Sequence, residues 1–373
     1  MKTDLLVVGG GILGLATAFE AHEKGLSVRV VDRAQRPVGS SIQNFGHACF
    51  TGQADSIWDT VLASRAGWLR AAEKAGLWVR PVGTYIPAVS EVEMQVLREF
   101  AEHRGTDQVR LLQPAEAAEA LGNPDLDCAG GAHLPLDARV NPREAAPQLA
   151  AWLAQQGVTF NWGHEVKAVA DGVVETNRGD FQAEHVVVCP NYWLTQLFPE
   201  LADEHGVRVC TLAMALIERP SRVPAEVAML TGTSLARYDG FAAMPGVDSL
   251  RAELQERESQ LVDCVANLMA TGIEGGLFLG DSHAYDYSPE PFVDQDIAEL
   301  LIARGSAYFG IEKPRVLQRW QGRYADSRST NLVLERPDER TTVAVVTSGI
   351  GMTMSFGVAD LILNGGTSAG WSS

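Results

Sequence analysis

Apolar and polar positions are patterned most clearly at the start of the chain. Residues 4–8 read D-L-L-V-V, a continuous apolar run of strand length. Six residues rich in glycine and apolar side chains follow, G-G-G-I-L-G at 9–14. Residues 15–24 then carry apolar side chains at helical spacing, and Gly25 closes that helix. A second apolar run, 27–31, ends on Asp32 and Arg33. Strand, glycine turn, helix and strand together predict one βαβ unit.

Helical spacing recurs at 54–75, 92–104 and 114–121, the last with Pro114 in its first turn. Residues 77–87 read as two short strands about a turn, and 127–134 as a Gly-rich strand. Asn141 and Pro142 supply an N-cap and an N1 proline for a helix reaching Gln156. Residues 158–162 form a strand, Asp171-Gly172 a hairpin turn, Asn177-Arg178-Gly179 a second turn, and 183–189 a buried strand. Further on, 208–219 and 227–238 read as strands of a separate sheet, and 250–270 as one amphipathic helix. A strand and turn at 277–283, a helix at 294–308 and a strand at 316–324 complete that region. The buried strand 342–346 then leads into a glycine-rich turn and a helix over 354–363.

The first unit carries candidate chemistry. Gly9, Gly11 and Gly14 form G-x-G-x-x-G between a strand and a helix, with Asp32 about twenty positions on. Gly9 permits the tight turn, Gly11 lets backbone approach a pyrophosphate, and Gly14 lets helix pack on strand. The pyrophosphate is expected on the free N–H groups and positive end of the helix, and the ribose hydroxyls on Asp32. This context predicts a dinucleotide site. Its place near the N-terminus favours FAD, as does the small, polar, Gly-rich stretch 37–47 that follows Arg33.

Composition narrows the partners. The 373 residues are 46% apolar, enough for two domains. A net charge of −17 with scattered arginines argues against nucleic acid and anionic membrane surfaces. No apolar run reaches membrane-span length, and no secretory signal is read at the start. Cys49, Cys128, Cys189, Cys210 and Cys264 are odd in number and lack metal-ligand spacing. They read as reduced thiols of a cytoplasmic protein without a metal. Residues 365–373 read as a small, polar, flexible tail.

Ser41, Asn44 and Gly46 form Ser-x-x-Asn-x-Gly, and residues 349–359 read G-I-G-M-T-M-S-F-G-V-A. In both places the chain resembles the D-amino acid oxidase superfamily of FAD enzymes, which includes glycine and sarcosine oxidases. The resemblance implies an α/β fold (α+β overall): a Rossmann-like FAD-binding domain and a mainly antiparallel-sheet substrate domain. The first is expected from 1–85, 140–200 and 325–364, the second from 86–139 and 201–324. It implies FAD contacts from Gly9, Gly11, Ile12, Leu13, Gly14, Asp32 and Arg33. Ser40, Ser41, Asn44, Phe45, Gly46 and His47 would follow, then Val166, Cys189, Asn191 and Trp193. Gly349, Ile350, Gly351, Met352 and Thr353 would close the site, with their helix end toward the flavin. The Cys189-Pro190-Asn191 stretch departs from the superfamily's usual Ala-x-Gly. No cysteine follows Cys264, so FAD is expected to be non-covalent, with His283 the weaker candidate for a link.

The implied activity is oxidation of a small amine at the carbon beside nitrogen, then imine hydrolysis to an aldehyde or keto product. Oxygen or another acceptor would clear the electrons, and an oligomer is left open. Members that use amino acids carry Trp-x-Gly-x-Arg, whose Arg clamps the carboxylate. Here the stretch is Trp320-Gln321-Gly322-Arg323-Tyr324, which puts Tyr324 at the clamp and Arg323 on the other strand face. This departure is similar to a branch associated with phosphonate breakdown, acting on compounds such as N-methyl-2-aminoethylphosphonate. Arg237, Tyr238, Trp320, Arg323 and Tyr324 are therefore candidates for substrate binding. His47 and Tyr324 are candidates for direct roles in the chemistry. A glycine or D-amino acid oxidase or dehydrogenase is the alternative enzyme, and a flavin-binding component of a larger oxidoreductase the alternative of another class.

Overall fold

The computed structural model describes residues 3–372. Its first sheet has a parallel core in the order Thr159–Trp162, Val28–Asp32, Thr3–Val8, Phe181–Val188 and Thr341–Val346. Leu332–Asp338 adds an antiparallel edge, and the hairpin Val166–Ala170 with Val173–Thr176 folds onto Phe181–Val188. Leu5, Leu6, Val7 and Val8 are all buried, as expected of a parallel strand covered on both faces.

Helices Ile12–Glu23, Trp58–Ala75 and Gly351–Leu363 share one core. Phe356 is its pivot. Its ring meets Phe19 edge-on at 5.6 Å and Trp68 at 5.0 Å. The helices close up because two crossings are glycine. A Cβ at Gly67 would lie 2.4 Å from Phe356, and one at Gly357 would lie 2.2 Å from the Thr60 carbonyl oxygen.

The second sheet has nine strands, mainly antiparallel. Arg208–Glu218 is its spine. Val316–Asp326 runs along one side of it, with Gly276–Gly280 and Ala284–Asp286 along the other. Met269–Ile273, Ala228–Met229, Thr84–Ala88, Gly130–Leu134 and Arg110–Leu112 complete the sheet. A small third sheet joins His47–Ala48, Ala138–Val140 and Val79–Arg80.

Several expectations are corrected. The apolar pattern over 250–270 is not one helix. Val247–Arg257 ends at Glu258, Ser259–Asp263 forms a separate turn of helix, and Met269–Ile273 is a strand. That strand is paired on both edges and buried, so ladder bonds and burial override helical spacing. In 227–238 only Ala228–Met229 forms a strand. Thr231 and Ser234 then bond each other's backbone in a capping box, which starts a short helix. The C-terminal helix begins at Gly351, three residues before the expected start.

Residues 365–372 do not form the expected loose tail. Trp371 is 2% exposed and joins the first core. Its carbonyl accepts from Asn331 N at 2.7 Å, and the Gly370 carbonyl accepts from Ser56 Oγ at 2.6 Å. The burial of one indole outweighs the polar composition around it.

Candidate active site

One cavity lies where the first and last helices of the parallel sheet face the antiparallel sheet, with about 1840 Å3 of empty space, its open mouth included. Gly11–Gly14 and Gly349–Thr353 line it from the two helix ends, and Ser40, Ser41, Asn44, Phe45 and His47 from the connecting segment. Neither helix is capped by the side chain of its own N-cap residue, and only Ile12 N of the first is taken by a side chain, that of Ser41. Two positive helix ends therefore open on the same space.

The glycines can be tested for an FAD fit. Gly9 has φ +106°, and a Cβ at Gly14 would lie 1.9 Å from the Gly9 carbonyl oxygen, so both serve the turn and the helix–strand contact. At Gly11 the nearest atom to such a Cβ is Ser41 Oγ at 3.0 Å. Beyond Gly11 lies cavity, which is what a closely approaching pyrophosphate requires. Asp32 Oδ2 accepts from Gly10 N and Oδ1 from Ala34 N, each at 2.7 Å. Burial raises its pKa and those two N–H groups oppose the rise. Each oxygen keeps a lone pair for ribose hydroxyls. The residues present fit the dinucleotide.

The Ser-x-x-Asn-x-Gly stretch is shaped by its own polar groups. Ser41 Oγ accepts from Ile12 N at 2.8 Å, Asn44 Nδ2 donates to Ser40 O at 2.7 Å, and Gly46 N donates to Asn44 Oδ1 at 2.7 Å. Gly46 has φ +63° and leaves no room for a side chain against the Val140 carbonyl. Arg139, absent from the sequence candidates, is fully buried behind it. Its guanidinium donates to the carbonyls of Phe45, Gly46 and Gly272. Burial pushes its pKa down to about 9, which leaves it charged at neutral pH. A lone arginine among apolar residues carries no motif, so only the fold discloses it.

Cys189 and Asn191 also line the cavity. Asn191 adopts φ +53°, the left-handed region that asparagine tolerates, at the usual glycine position. Gly9, Asp32, Arg33, Gly46, Val166, Trp193 and Trp320 lie outside the cavity lining. Arg33 stacks on the Trp193 ring at 3.6 Å, and Val166 opens the hairpin. Trp320 Nε1 donates to the Gln43 carbonyl at 3.0 Å, which places it behind the connecting segment.

His47 lines the cavity and is 7% exposed. Its Nε2 lies 2.5 Å from Thr84 Oγ1 and 3.8 Å from Asp137 Oδ2, while Nδ1 has no partner. Burial lowers its pKa more than Asp137 raises it, so the ring is neutral at pH 7. Ligand-type atoms of His47, Cys49 and Asp137 converge within 4.8 Å, a grouping no spacing in the chain announces.

The antiparallel sheet and the turns beside it supply a second group of polar residues. Arg237, Tyr238, Asp281, His283, Tyr285 and Tyr324 all line the same cavity. Arg237 donates to Tyr285 Oη at 3.3 Å. The Tyr324 ring packs against Gly349, 3.1 Å from a Cβ built there. Arg323 also borders the cavity, opposite Thr211 in the ladder. Its Nε, however, donates to Gln321 Oε1 at 2.9 Å, and Gln321 bonds the carbonyls of Glu290 and Phe292. Arg323 and Tyr324 thus direct their side chains to opposite strand faces, with Tyr324 directed toward the Gly349 turn.

Fold and cavity together set a dinucleotide cradle on one sheet against a polar chamber on the other. The chain belongs to the DAO family of FAD-dependent oxidoreductases, whose family model matches residues 4–364. FAD is accordingly its cofactor.

Among curated relatives, it is 28% identical to the bifunctional protein ThiO/ThiG of Trichormus variabilis over 53% of this chain and 32% of that one. The chain thus spans about a third of that relative. It is 25% identical to a glycine oxidase of Geobacillus kaustophilus over 52% of this chain and 56% of that one. A subunit of the opine oxidase of Rhizobium meliloti is 21% identical over 86% of this chain and 81% of its own.

Solved structures share the fold. L-proline dehydrogenase from P. horikoshii superposes with a TM-score of 0.77 at 18% identity, covering 99% of this chain and 95% of that one. Iminodiacetate oxidase from Chelativorans sp. BNC1 gives 0.76 at 17% identity, covering 98% and 96%. No helix among the described residues is long and apolar enough to cross a membrane.

Proposed function

We propose that the protein oxidises a small amine that carries an anionic group, an aminophosphonate such as N-methyl-2-aminoethylphosphonate being the leading candidate. The observation that carries this reading is Arg237, a half-buried cation inside the cavity, bonded to the Tyr285 hydroxyl. A tetrahedral dianion there gains charge-assisted bonds from Arg237 and further donors from Tyr285 and Tyr324. Bound FAD, held non-covalently, supplies the acceptor for a hydride from the carbon beside nitrogen. The chain's own work is to hold the anion, aim that C–H at the ring and keep water out. The imine formed is hydrolysed to an aldehyde or keto product.

The names of glycine oxidase and iminodiacetate oxidase among the relatives support an amine or amino-acid substrate. They keep a glycine or D-amino acid oxidase or dehydrogenase as the alternative. The likeness to one subunit of an opine oxidase favours a second reading, a flavin-binding component that needs a partner for turnover. In this assignment the parallel sheet, from 1–85, 140–200 and 325–364, binds cofactor. The regions 86–139 and 201–324 bind substrate, with Thr84 and Tyr85 already paired into the second sheet. Five free cysteines accord with a reducing, cytoplasmic setting. Oxygen or another acceptor takes the electrons.

Anaerobic bleaching of the flavin by a panel of amines, amino acids and aminophosphonates tests this. Bleaching by an anionic amine, with turnover by the single chain, is the expected result. A flavin that no amine bleaches removes the reading.

A further inference from the structure

The polar chamber holds an anion of its own that the reading above does not use. Asp281 follows the strand Gly276–Gly280, is 5% exposed, and lines the cavity with Arg237. Its Oδ1 has no hydrogen-bond partner. Its backbone is held by a reciprocal pair with Asn267, Asn267 N to Asp281 O at 2.9 Å and Asp281 N to Asn267 O at 3.3 Å. The residue before it, Gly280, packs toward Phe45 of the cofactor-wrapping segment, whose ring would lie 3.4 Å from a Cβ there. A buried carboxylate with an unused lone pair costs free energy unless something donates to it. The same carboxyl group borders the cavity that Arg237 lines, where an entering donor can meet it.

We propose that Asp281 is the proton acceptor for the substrate's ammonium group, so that Arg237 and Asp281 together select a zwitterion by its two ends. This rests on the amine-oxidation reading. An ammonium has no free lone pair, and its carbon cannot lose a hydride until the N–H proton leaves. The proton passes from substrate nitrogen to the Asp281 carboxylate, which leaves a neutral amine whose lone pair can form the imine as the C–H hydride is given up. One carboxylate is protonated and one ammonium deprotonated, so the proton step balances.

The surroundings suit this role. Burial raises the Asp281 pKa to about 7, partly offset by Arg237. The other titratable groups facing it are His283, whose Nε2 lies 3.9 Å from Oδ2, and Tyr238, Tyr324, Cys210 and Cys264. His283 is neutral, its pKa lowered to about 3 by burial and by Arg237, and its Nδ1 contacts the Val265 carbonyl at 2.9 Å. Burial raises the pKa of both tyrosines and both cysteines. Asp281 is therefore the group among them that gains a negative charge near neutral pH.

The test is the rate of anaerobic flavin reduction between pH 6.5 and 10 in the holoenzyme and in Asp281→Asn, with the amine that bleaches wild type fastest. In wild type the rate should rise through about pH 7. In D281N it should fall by roughly 10²-fold near pH 7.5, in the range for a general base. It should recover only as the free amine itself loses its proton, two or more pH units higher. Binding of an amine-free phosphonate or carboxylate, read from the flavin spectrum, should stay within about threefold, which shows that the chamber is still built. Superimposable profiles, a loss equal at every pH, or lost binding of the amine-free anion would each overturn the proposal while leaving amine oxidation in place. Failure of every amine to bleach wild type would remove both.

Discussion

Asn191 Nδ2 donates to Ser40 Oγ at 2.6 Å, which ties the end of a central parallel strand to the segment that lines the cavity from Ser40 to His47. Asn191 Oδ1 also accepts from Ala325 N at 2.7 Å, and the Ser40 hydroxyl goes on to the Arg323 carbonyl. One amide thus joins both sheets at the cavity wall. Asn191→Gly keeps the left-handed backbone but strands the Ala325 N–H and removes the donor to Ser40 Oγ. It should cost about 1–3 kcal/mol. Asn191→Ala should cost about 1–2 kcal/mol more, because alanine pays for φ +53°. Urea unfolding of the three proteins checks this order. A glycine variant as stable as wild type would show that the bonds contribute nothing.

The fingerprint glycines should separate by mechanism. Gly14→Ala drives a methyl to within 1.9 Å of a backbone oxygen, so the first helix cannot dock and little folded protein is expected. Gly11→Val points its bulk into the cavity. It should leave the circular dichroism spectrum intact and abolish FAD retention. Wild type should be yellow and release FAD on denaturation. Flavin that stays with the precipitated chain would establish a covalent link.

Acid stability should expose the Asp281–His283 neighbourhood. The folded His283 pKa, about 3, is below its unfolded value, so its contribution is present above about pH 6.5 and is lost as pH falls toward 3. The folded Asp281 pKa, about 7, is above the ordinary 3.8, so its contribution is present below pH 3.8 and is lost as pH rises through 7. Between pH 4 and 6.5 the two nearly cancel in wild type. D281N should therefore lose stability faster than wild type on acidification, by about 1.4 kcal/mol per pH unit. His283→Gln should do the reverse and lose it faster as pH rises. Chemical denaturation at pH 4.5, 5.5 and 6.5 reads both slopes. Parallel curves for all three proteins would sink the account.

Much of the cradle was legible in the chain because its constraints are local. Gly9, Gly11, Gly14 and Asp32 are needed by a single turn, and their spacing reports it. The chamber was less legible, because its residues come from separate elements that only sheet pairing brings together. Asp281 has no motif, Arg139 is a lone buried cation, and Tyr285 is one exposed-looking residue in a polar stretch. The same physics misled the pattern over 250–270. Met269–Ile273 gains more from two paired edges than its periodicity shows. Strand alternation, by contrast, was enough to separate the side chains of Arg323 and Tyr324.

That separation divides the two arginines offered for the substrate's anion. Both line the cavity, but the Arg323 Nε is held by Gln321 on its own strand face, whereas Arg237 is bonded to the Tyr285 hydroxyl. Arg237→Gln should therefore lower kcat/KM for an anionic amine by roughly 30- to 1,000-fold, about 2–4 kcal/mol, since it leaves a buried anion without its cation. Arg323→Gln should change it less than threefold. For an amine of similar size without an anionic end, the two variants should behave alike. The phosphonate itself is tested by rank order. On the aminophosphonate reading, N-methyl-2-aminoethylphosphonate should reduce the flavin far faster than glycine, sarcosine or D-alanine. If sarcosine or D-alanine ranks first and still depends on Arg237, the cavity binds a carboxylate, and an amino acid oxidase or dehydrogenase takes the place of the aminophosphonate reading.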